Sequence, residues 1–147
     1  MENELQETIC YLLSSQRLGV LATSQEGQPY TSLVGFAFSE DLKQLFFATK
    51  KGSRKFNNLQ NDPRVSLLVD SRNSNTDLDQ IFAVSAFGNA RDVTGLERQK
   101  LITSYLDRHP GLGEFVESSN CALVRIKVRR YALVRQLVVV GELGFDA

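Results

Sequence analysis

The sequence is poor in the residues that build metal centres and disulfide frameworks. Its 147 residues include two cysteines, one histidine, one methionine and no tryptophan. No CxxC pair and no histidine partner accompany Cys10 or Cys121, so we predict no metal site and no catalytic thiolate. Both cysteines are expected to be small core residues in a reducing compartment.

The sequence also lacks net charge and long apolar segments. Its 17 Lys and Arg residues balance 17 Asp and Glu residues, which excludes the broad positive field of a nucleic-acid or anionic-membrane binder. The longest apolar candidate, residues 137–140, is far shorter than the roughly 20 residues of a membrane span and is predicted to be a buried strand. Because the N-terminus has no signal-like pattern, we expect a soluble, cytoplasmic protein without a nucleic-acid or membrane partner.

The hydrophobic pattern predicts one mainly β domain over residues 1–147. Leu5, Ile9 and Leu12 recur at helical spacing and predict an amphipathic helix over residues 2–15. Apolar segments separated by polar turns follow over residues 18–141 and predict six to eight antiparallel strands. We expect a closed or nearly closed antiparallel β-barrel with α-helical caps.

Three local signals refine this expectation. Gly88 lies within a long apolar stretch and predicts a bulge or sharp bend in a strand. Thr94, followed three residues later by Glu97, predicts a capping box at the start of a helix. His109 opens a His-Pro-Gly sequence that is predicted to end this helix, and we assign it no chemical role.

Residues 45–61 contain the most informative pattern in the chain. An apolar strand is followed by Thr49, Lys50, a glycine turn, Ser53 and then a short helix. A helix that begins at Ser53 directs unpaired backbone N–H groups and its positive dipole end toward the same cations. The alternative is an ordinary solvated basic helix start. We interpret the pattern as a local phosphate site.

The same residues carry a family resemblance. The order of Thr49, residues 52–55 (Gly-Ser-Arg-Lys), a helix and residues 61–65 (Asn-Asp-Pro-Arg-Val) resembles the pyridoxamine 5'-phosphate oxidase-like, FMN-binding split-barrel family. The similarity extends from about residue 18 to residue 140. It includes the strand around Gly88 and a closing strand around Tyr131.

The resemblance implies a homodimer with FMN in clefts between the subunits. In such proteins the residues that match Arg54 and Lys55 bind the FMN phosphate, the residue that matches Thr49 contacts the cofactor, and the second strand runs beside the flavin ring. Arginine and lysine suit this task because both donate charge-assisted hydrogen bonds to phosphate oxygens. The predicted cofactor-binding residues are Ser32, Leu33, Val34, Thr49, Lys50, Ser53, Arg54 and Lys55.

Two departures limit which activity the resemblance implies. The oxidase itself has a C-terminal substrate-binding segment with Trp and Arg, whereas this sequence has no tryptophan. The haem-degrading branch of the superfamily has a glycine-rich turn after its Tyr-containing strand, whereas residues 134–137 read Val-Arg-Gln-Leu. We therefore do not expect true pyridoxamine-phosphate oxidase activity, and the haem-degrading branch stays open as the less favoured alternative.

The predicted function is flavin-mediated hydride or electron transfer to or from a small molecule. No residue qualifies as a general acid or base, so no catalytic residue is assigned, and the cofactor is expected to perform the chemistry. One alternative is a non-catalytic flavin- or haem-binding protein for storage, sensing or electron carriage, and a deazaflavin is an alternative cofactor. A third is a relative that has lost its ligand and acts through protein contacts.

Overall fold

A seven-stranded antiparallel sheet dominates the fold, which a computed structural model describes over residues 2–73 and 75–146. The strands are β1 (Leu18–Gln25), β2 (Gln28–Phe38), β3 (Gln44–Lys50), β4 (Arg64–Asp70), β5 (Phe82–Val93), β6 (Cys121–Arg135) and β7 (Val138–Gly144). The helices are α1 (Glu2–Ser15), α2 (Arg54–Asn61), α3 (Gly95–Arg108) and α4 (Gly113–Glu117), with 3-10 turns at Leu78–Gln80 and Pro110–Leu112.

Six of the strands close into a barrel in the order β3-β2-β1-β4-β5-β6, because β6 also pairs with β3. The first half of the 15-residue strand β6 completes this ring, with Leu45 of β3 opposite Ile126 of β6. The second half of β6 pairs with β5 and with β7, which is the extra strand outside the ring. The predicted antiparallel barrel with helical caps is confirmed.

Apolar side chains on the inner faces of the strands fill the barrel. Phe36, Phe47 and Leu67 are fully buried there, and Ile9 and Leu13 of α1 pack against the same core. Burying one such side chain contributes about 1.5–3 kcal/mol relative to leaving it exposed. A second, smaller cluster lies on the outer face of the barrel beneath α3 and α4: Ala37, Phe46, Val93, Tyr105, Val116 and Leu123.

The predicted bulge lies opposite Gly88, and its extra residue belongs to β6. Phe87 pairs with Arg130 and Gly88 with Val128, so Arg129 of β6 has no opposite residue in β5. A Cβ atom on Gly88 would lie 2.1 Å from the carbonyl oxygen of Lys127, a separation that two such atoms cannot adopt. The bend therefore requires glycine at this position.

The predicted capping box at the start of α3 is wrong. Thr94 occupies the N-cap position, but its side chain makes no capping hydrogen bond. The carboxylate of Glu97 instead accepts a hydrogen bond from Arg125 of β6 and lies 3.5 Å from Arg91 of β5. Two guanidinium groups on the barrel wall attract this carboxylate more strongly than one backbone N–H does.

The prediction of a buried strand at residues 137–140 is also wrong. Leu137 lies in the turn before β7 and is 72% exposed, and Val138, Val139 and Val140 are each more than half exposed. The cause is topological, since β7 pairs only with the part of β6 that extends beyond the barrel closure. No helix in the described ranges has both the length and the apolar composition to cross a membrane.

Candidate functional site

The turn from β3 to α2 has the geometry that the sequence predicts. The chain turns after Lys50, whose carbonyl accepts the Ser53 N–H at 3.1 Å. The Ser53 side chain caps the helix by accepting the Phe56 N–H at 3.3 Å, and its oxygen lies 3.0 Å from Thr49 Oγ1. The strand end and the helix start are thus joined by both backbone and hydroxyl contacts.

Helix α2 is fixed against one end of the barrel. Phe56 and Leu59 are buried in the main core, and the amide nitrogen of the buried Asn58 donates to Thr23 Oγ1 at 3.1 Å. A ligand held by the first turn of α2 would therefore contact a rigid part of the fold.

The start of α2 is a suitable position for an anion. The Ser53 cap satisfies the Phe56 N–H, while the backbone N–H groups of Arg54 and Lys55 have no hydrogen-bond partner among the described residues. Unpaired N–H groups in a first helical turn attract negative charge, and the side chains of Lys50 and Lys55 add two cations. An anion at this position would gain charge-assisted hydrogen bonds from both sources.

A cleft of about 340 Å³ begins at this helix start and runs along the outer face of β2 and β3. We call it the β2–β3 cleft. It brings together predicted site residues from two separate parts of the sequence, because its lining includes Leu33 of β2 and Lys50 at the end of β3. The lining residues are Leu33, Val34, Gly35, Ala48, Thr49, Lys50, Ser53, Lys55, Tyr105, Leu112 and Phe115.

The lining of the β2–β3 cleft combines two lysines with apolar side chains. Leu33, Leu112 and Phe115 supply apolar surface, and Leu33 is 64% exposed. The Tyr105 hydroxyl donates to the carbonyl oxygen of Gly35 at 2.8 Å. Burial raises the pKa of Tyr105, so this hydroxyl stays protonated at neutral pH. No carboxylate is found among the described residues of the lining.

Two of the predicted site residues do not line this cleft. Ser32 lies on the strand face opposite to Leu33, and its hydroxyl oxygen is buried without a hydrogen-bond partner in the described structure. Arg54 is exposed, and its guanidinium lies 5.8 Å from the centre of the Tyr30 ring. Lys55 therefore borders the cleft, whereas Arg54 does not belong to its lining.

Sequence reasoning missed Tyr105, Leu112 and Phe115. Tyr105 belongs to the apolar stripe of α3, which predicted only core packing. Leu112 and Phe115 come from short helical turns after the His-Pro-Gly sequence, and no spacing along the chain indicates which strand they approach. Gly35 offered a signal, because a glycine inside a strand often marks the close approach of another group.

The remaining chemically distinctive side chains are held in structural contacts. His109 Nε2 lies 2.8 Å from the Phe36 carbonyl oxygen, and its ring packs against Tyr105 with centroids 4.8 Å apart. Cys10 and Cys121 are free thiols, and burial raises the pKa of Cys121, which keeps that thiol protonated.

The fold is a closed six-strand antiparallel barrel with helical caps, and the start of α2 borders a cleft whose lining holds two lysines and several apolar side chains. The chain belongs to the pyridoxamine 5'-phosphate oxidase family, whose model matches residues 5–135. No significant match occurs among curated proteins.

Solved structures share the fold. A heme-binding protein from Mycobacterium smegmatis is 20% identical with a TM-score of 0.81; the match covers 95% of this chain and 57% of that protein, so the chain spans little more than half of its length. A conserved hypothetical protein from Mycobacterium tuberculosis is 28% identical with a TM-score of 0.72, over 88% of this chain and 84% of that one. A FAD-binding protein from Mesorhizobium loti is 22% identical with a TM-score of 0.68, over 86% and 90% respectively.

Proposed function

We propose that the protein binds FMN in the β2–β3 cleft and acts as an FMN-dependent oxidoreductase on a small molecule. The observation that carries this proposal is the meeting of Lys50, Ser53 and Lys55 with an apolar wall in one cleft. FMN offers partners for both, because it has a dianionic phosphate and a flat, mostly apolar ring system. The family assignment supports the same choice of ligand class.

The phosphate end is assigned to the start of α2. Lys55 is half-buried at the cleft, Lys50 borders it, and the unpaired N–H groups of residues 54 and 55 supply directional donors. Arg54 would contribute through its backbone N–H, and its exposed guanidinium, now near the Tyr30 ring, would add positive charge at the same turn. Thr49 and Ser53 position this turn through their hydroxyl contact.

The ring end is assigned to the outer face of β2. Leu33 presents its exposed side chain to the cleft, and Leu112 and Phe115 add apolar surface to the same lining. Apolar walls exclude water from a bound ring and thereby influence its redox potential. Ser32 would contact the cofactor through its backbone, because its hydroxyl oxygen is buried on the opposite face of β2.

The cofactor, when bound, would supply hydride and electron transfer. The residues of this chain would anchor the phosphate, orient the ring and exclude water. Tyr105 would keep the Gly35 carbonyl occupied and so fix the backbone beside the ring. No proton donor or acceptor is assigned for this role.

We also propose that the active form is a cytoplasmic homodimer with one cofactor at each side of the subunit interface. Neighbouring strands align Leu33, Val20 and Leu68 in one row across β2, β1 and β4, and Leu18 lies next to Gly35. Leu18, Leu33 and Leu68 are 55%, 64% and 38% exposed, so this outer sheet face holds a contiguous apolar surface beside the cleft. Such a face usually marks a protein contact, and a two-fold dimer buries it on both subunits at once.

Spectroscopy and turnover test the proposed function. The purified protein, incubated with excess FMN and desalted, should retain about one FMN per chain and show a flavin absorption spectrum. Reduced nicotinamide should then bleach the flavin, and an added acceptor should restore its colour. Protein that retains no flavin at micromolar concentrations would contradict the binding proposal, and bound flavin that no donor reduces would contradict the oxidoreductase proposal.

The second candidate is a non-catalytic flavin or haem carrier. A neighbour described as a heme-binding protein favours it, as does a lining without a carboxylate or a histidine among the described residues. The same spectrum separates the cases, because haem gives a Soret band, a deazaflavin absorbs at shorter wavelength than FMN, and a carrier holds flavin without turnover. A colourless protein that binds none of the three would favour a ligand-free role in protein contacts.

A further inference from the structure

A second cleft adjoins the β2–β3 cleft on the other side of Gly35. It has a volume of about 640 Å³ and lies between the end of α1 and the turn that follows α3. Arg17, Leu18, His109 and Leu112 belong to its lining, and we call it the His109 cleft. Leu112 lines both clefts, so a ligand in one would lie next to a ligand in the other.

The His109 ring stands at the boundary between the two clefts. A Cβ atom added to Gly35 would lie 3.2 Å from His109 Cε1 and 3.5 Å from Nδ1, so the ring lies directly over the bare backbone of Gly35. The other ring nitrogen, Nε2, is 2.8 Å from the carbonyl oxygen of Phe36. A carbonyl oxygen only accepts hydrogen bonds, so Nε2 carries a proton.

The second ring nitrogen, Nδ1, lies on the side of the ring that approaches Gly35. In the neutral imidazole with a proton on Nε2, Nδ1 is an acceptor, and it has no hydrogen-bond partner among the described residues. The Phe36 carbonyl and the packing against Tyr105 hold the ring in place. An acceptor fixed in this way selects a ligand that offers an O–H or N–H group.

Arg17 supplies positive charge at the same cleft. Its backbone carbonyl accepts the Phe36 N–H at 3.2 Å, which ties this residue to β2, while its side chain is exposed. It forms no ion pair in the described parts of the chain, and no described residue of the lining is acidic. A guanidinium without a carboxylate partner favours an anionic ligand, and its fork of donors matches a carboxylate.

The side chain of Arg108 fixes the chain segment that leads from α1 to Arg17. Arg108 donates to the carbonyl oxygens of Leu13 and Gln16 at the end of α1, and its guanidinium lies 5.1 Å from the centre of the Phe36 ring. The connection from α1 to β1 is thereby fixed relative to His109. The cleft is consequently a preformed feature, as small-molecule sites usually are.

We propose that the His109 cleft binds the substrate, a small hydroxy-carboxylate, with Arg17 on its carboxylate and His109 Nδ1 accepting the hydrogen bond of its hydroxyl group. The role as substrate site rests on the proposed flavin site, since a ligand here would lie beside the ring across Gly35. The binding itself does not depend on flavin. Arg17 and His109 act as binding residues in this proposal, and no proton transfer is assigned to them.

Nuclear magnetic resonance of the imidazole tests the binding directly, because His109 is the only histidine in the sequence. Protein without a purification tag and without flavin is titrated with mandelate, which has a hydroxyl next to its carboxylate. Phenylacetate lacks the hydroxyl and mandelamide lacks the charge. We expect an Nε2–H tautomer and a saturable shift of the Nδ1 signal with mandelate. Phenylacetate and mandelamide should each bind about fivefold or more weakly, the effect of one lost hydrogen bond.

The variant Arg17→Gln should weaken mandelate binding by about fivefold or more, whereas the control Arg129→Gln, on the β5–β6 bulge, should not. An Nδ1–H tautomer, no saturable shift with mandelate, or equal binding by Arg17→Gln would overturn the proposed site. Protein loaded with FMN should also show a change in the flavin spectrum on adding mandelate. Binding of mandelate without such a change would overturn the substrate role, and failure to load FMN would count against the flavin site alone.

Discussion

Replacement of Lys55 by glutamine, combined with removal of the phosphate from the ligand, tests how the proposed anchor works. Lys55 is half-buried at the edge of the β2–β3 cleft, next to the first turn of α2. Lys55→Gln preserves most of the side-chain volume and removes the charge. FMN and riboflavin differ only in the phosphate. The affinities of the unchanged protein and of Lys55→Gln for both ligands, four values in all, therefore give the coupling energy between the Lys55 ammonium group and the phosphate.

The structure sets the expected magnitude. A hydrogen bond to a charged group contributes about 1.5–3 kcal/mol. Because Lys55 is partly exposed, we expect its hydrogen bond to the phosphate to contribute toward the lower end of this range, about 1.5–2 kcal/mol. Since 1.36 kcal/mol is a factor of ten, the Kd for FMN should rise by about 10- to 30-fold. The Kd for riboflavin should change by less than about twofold, because the phosphate is absent.

Quenching of flavin fluorescence measures all four affinities. The control variant Lys127→Gln removes an exposed charge on β6 and should alter neither affinity. Raised salt should weaken FMN binding and leave riboflavin binding nearly unchanged. An equal loss of affinity for FMN and riboflavin in Lys55→Gln, or no loss for either, would refute the placement of the phosphate at this helix start.

Three further outcomes are expected. Tyr131→Phe leaves the buried carbonyl of Leu42 without the 2.6 Å hydrogen bond from the tyrosine hydroxyl. The free energy of unfolding, measured in urea, should therefore fall by about 1–3 kcal/mol, and a fall of less than about 0.5 kcal/mol would contradict the buried contact. Leu68→Glu puts a charge into the proposed dimer face and should shift the mass in gel filtration with light scattering toward the monomer, whereas an unchanged dimer would place the interface elsewhere. The hydrogen bond from Arg64 lowers the pKa of Asp62 to about 2, so the ionised carboxylate favours the folded state. This contribution to stability is lost as the pH falls from about 4 to 2. Carboxyl NMR should find the lowered pKa of Asp62, and Arg64→Gln should return it toward 3.8.

The helix start at Ser53 was predictable because its determinants are local. The cap, the glycine turn and the cations lie within a few residues of Lys50, and each acts through short-range hydrogen bonds or the helix dipole. The barrel was predictable for a similar reason, since strand alternation and the turns along the chain favour a meander. The bulge at Gly88 followed from the conformational cost of glycine within a strand.

Other features depend on contacts that the sequence does not order. Tyr105 reaches Gly35, 70 residues away in sequence, only because α3 docks on the outer face of β2 and β3. Residues 137–140 are apolar whether they lie inside the ring or beyond its closure, so hydrophobicity alone could not place them. The carboxylate of Glu97 had two available partners, the helix N-terminus and Arg125, and the second becomes available only when β6 folds next to α3.

A crystal structure of the protein soaked with FMN is the most direct test of the central claim. We expect the phosphate to lie within hydrogen-bonding distance of the N–H groups of Arg54 and Lys55 and of the Lys55 ammonium group, with the ring along Leu33 and Gly35. Clear density for FMN in any other cleft, or a β2–β3 cleft without FMN at saturating concentration, would contradict the account.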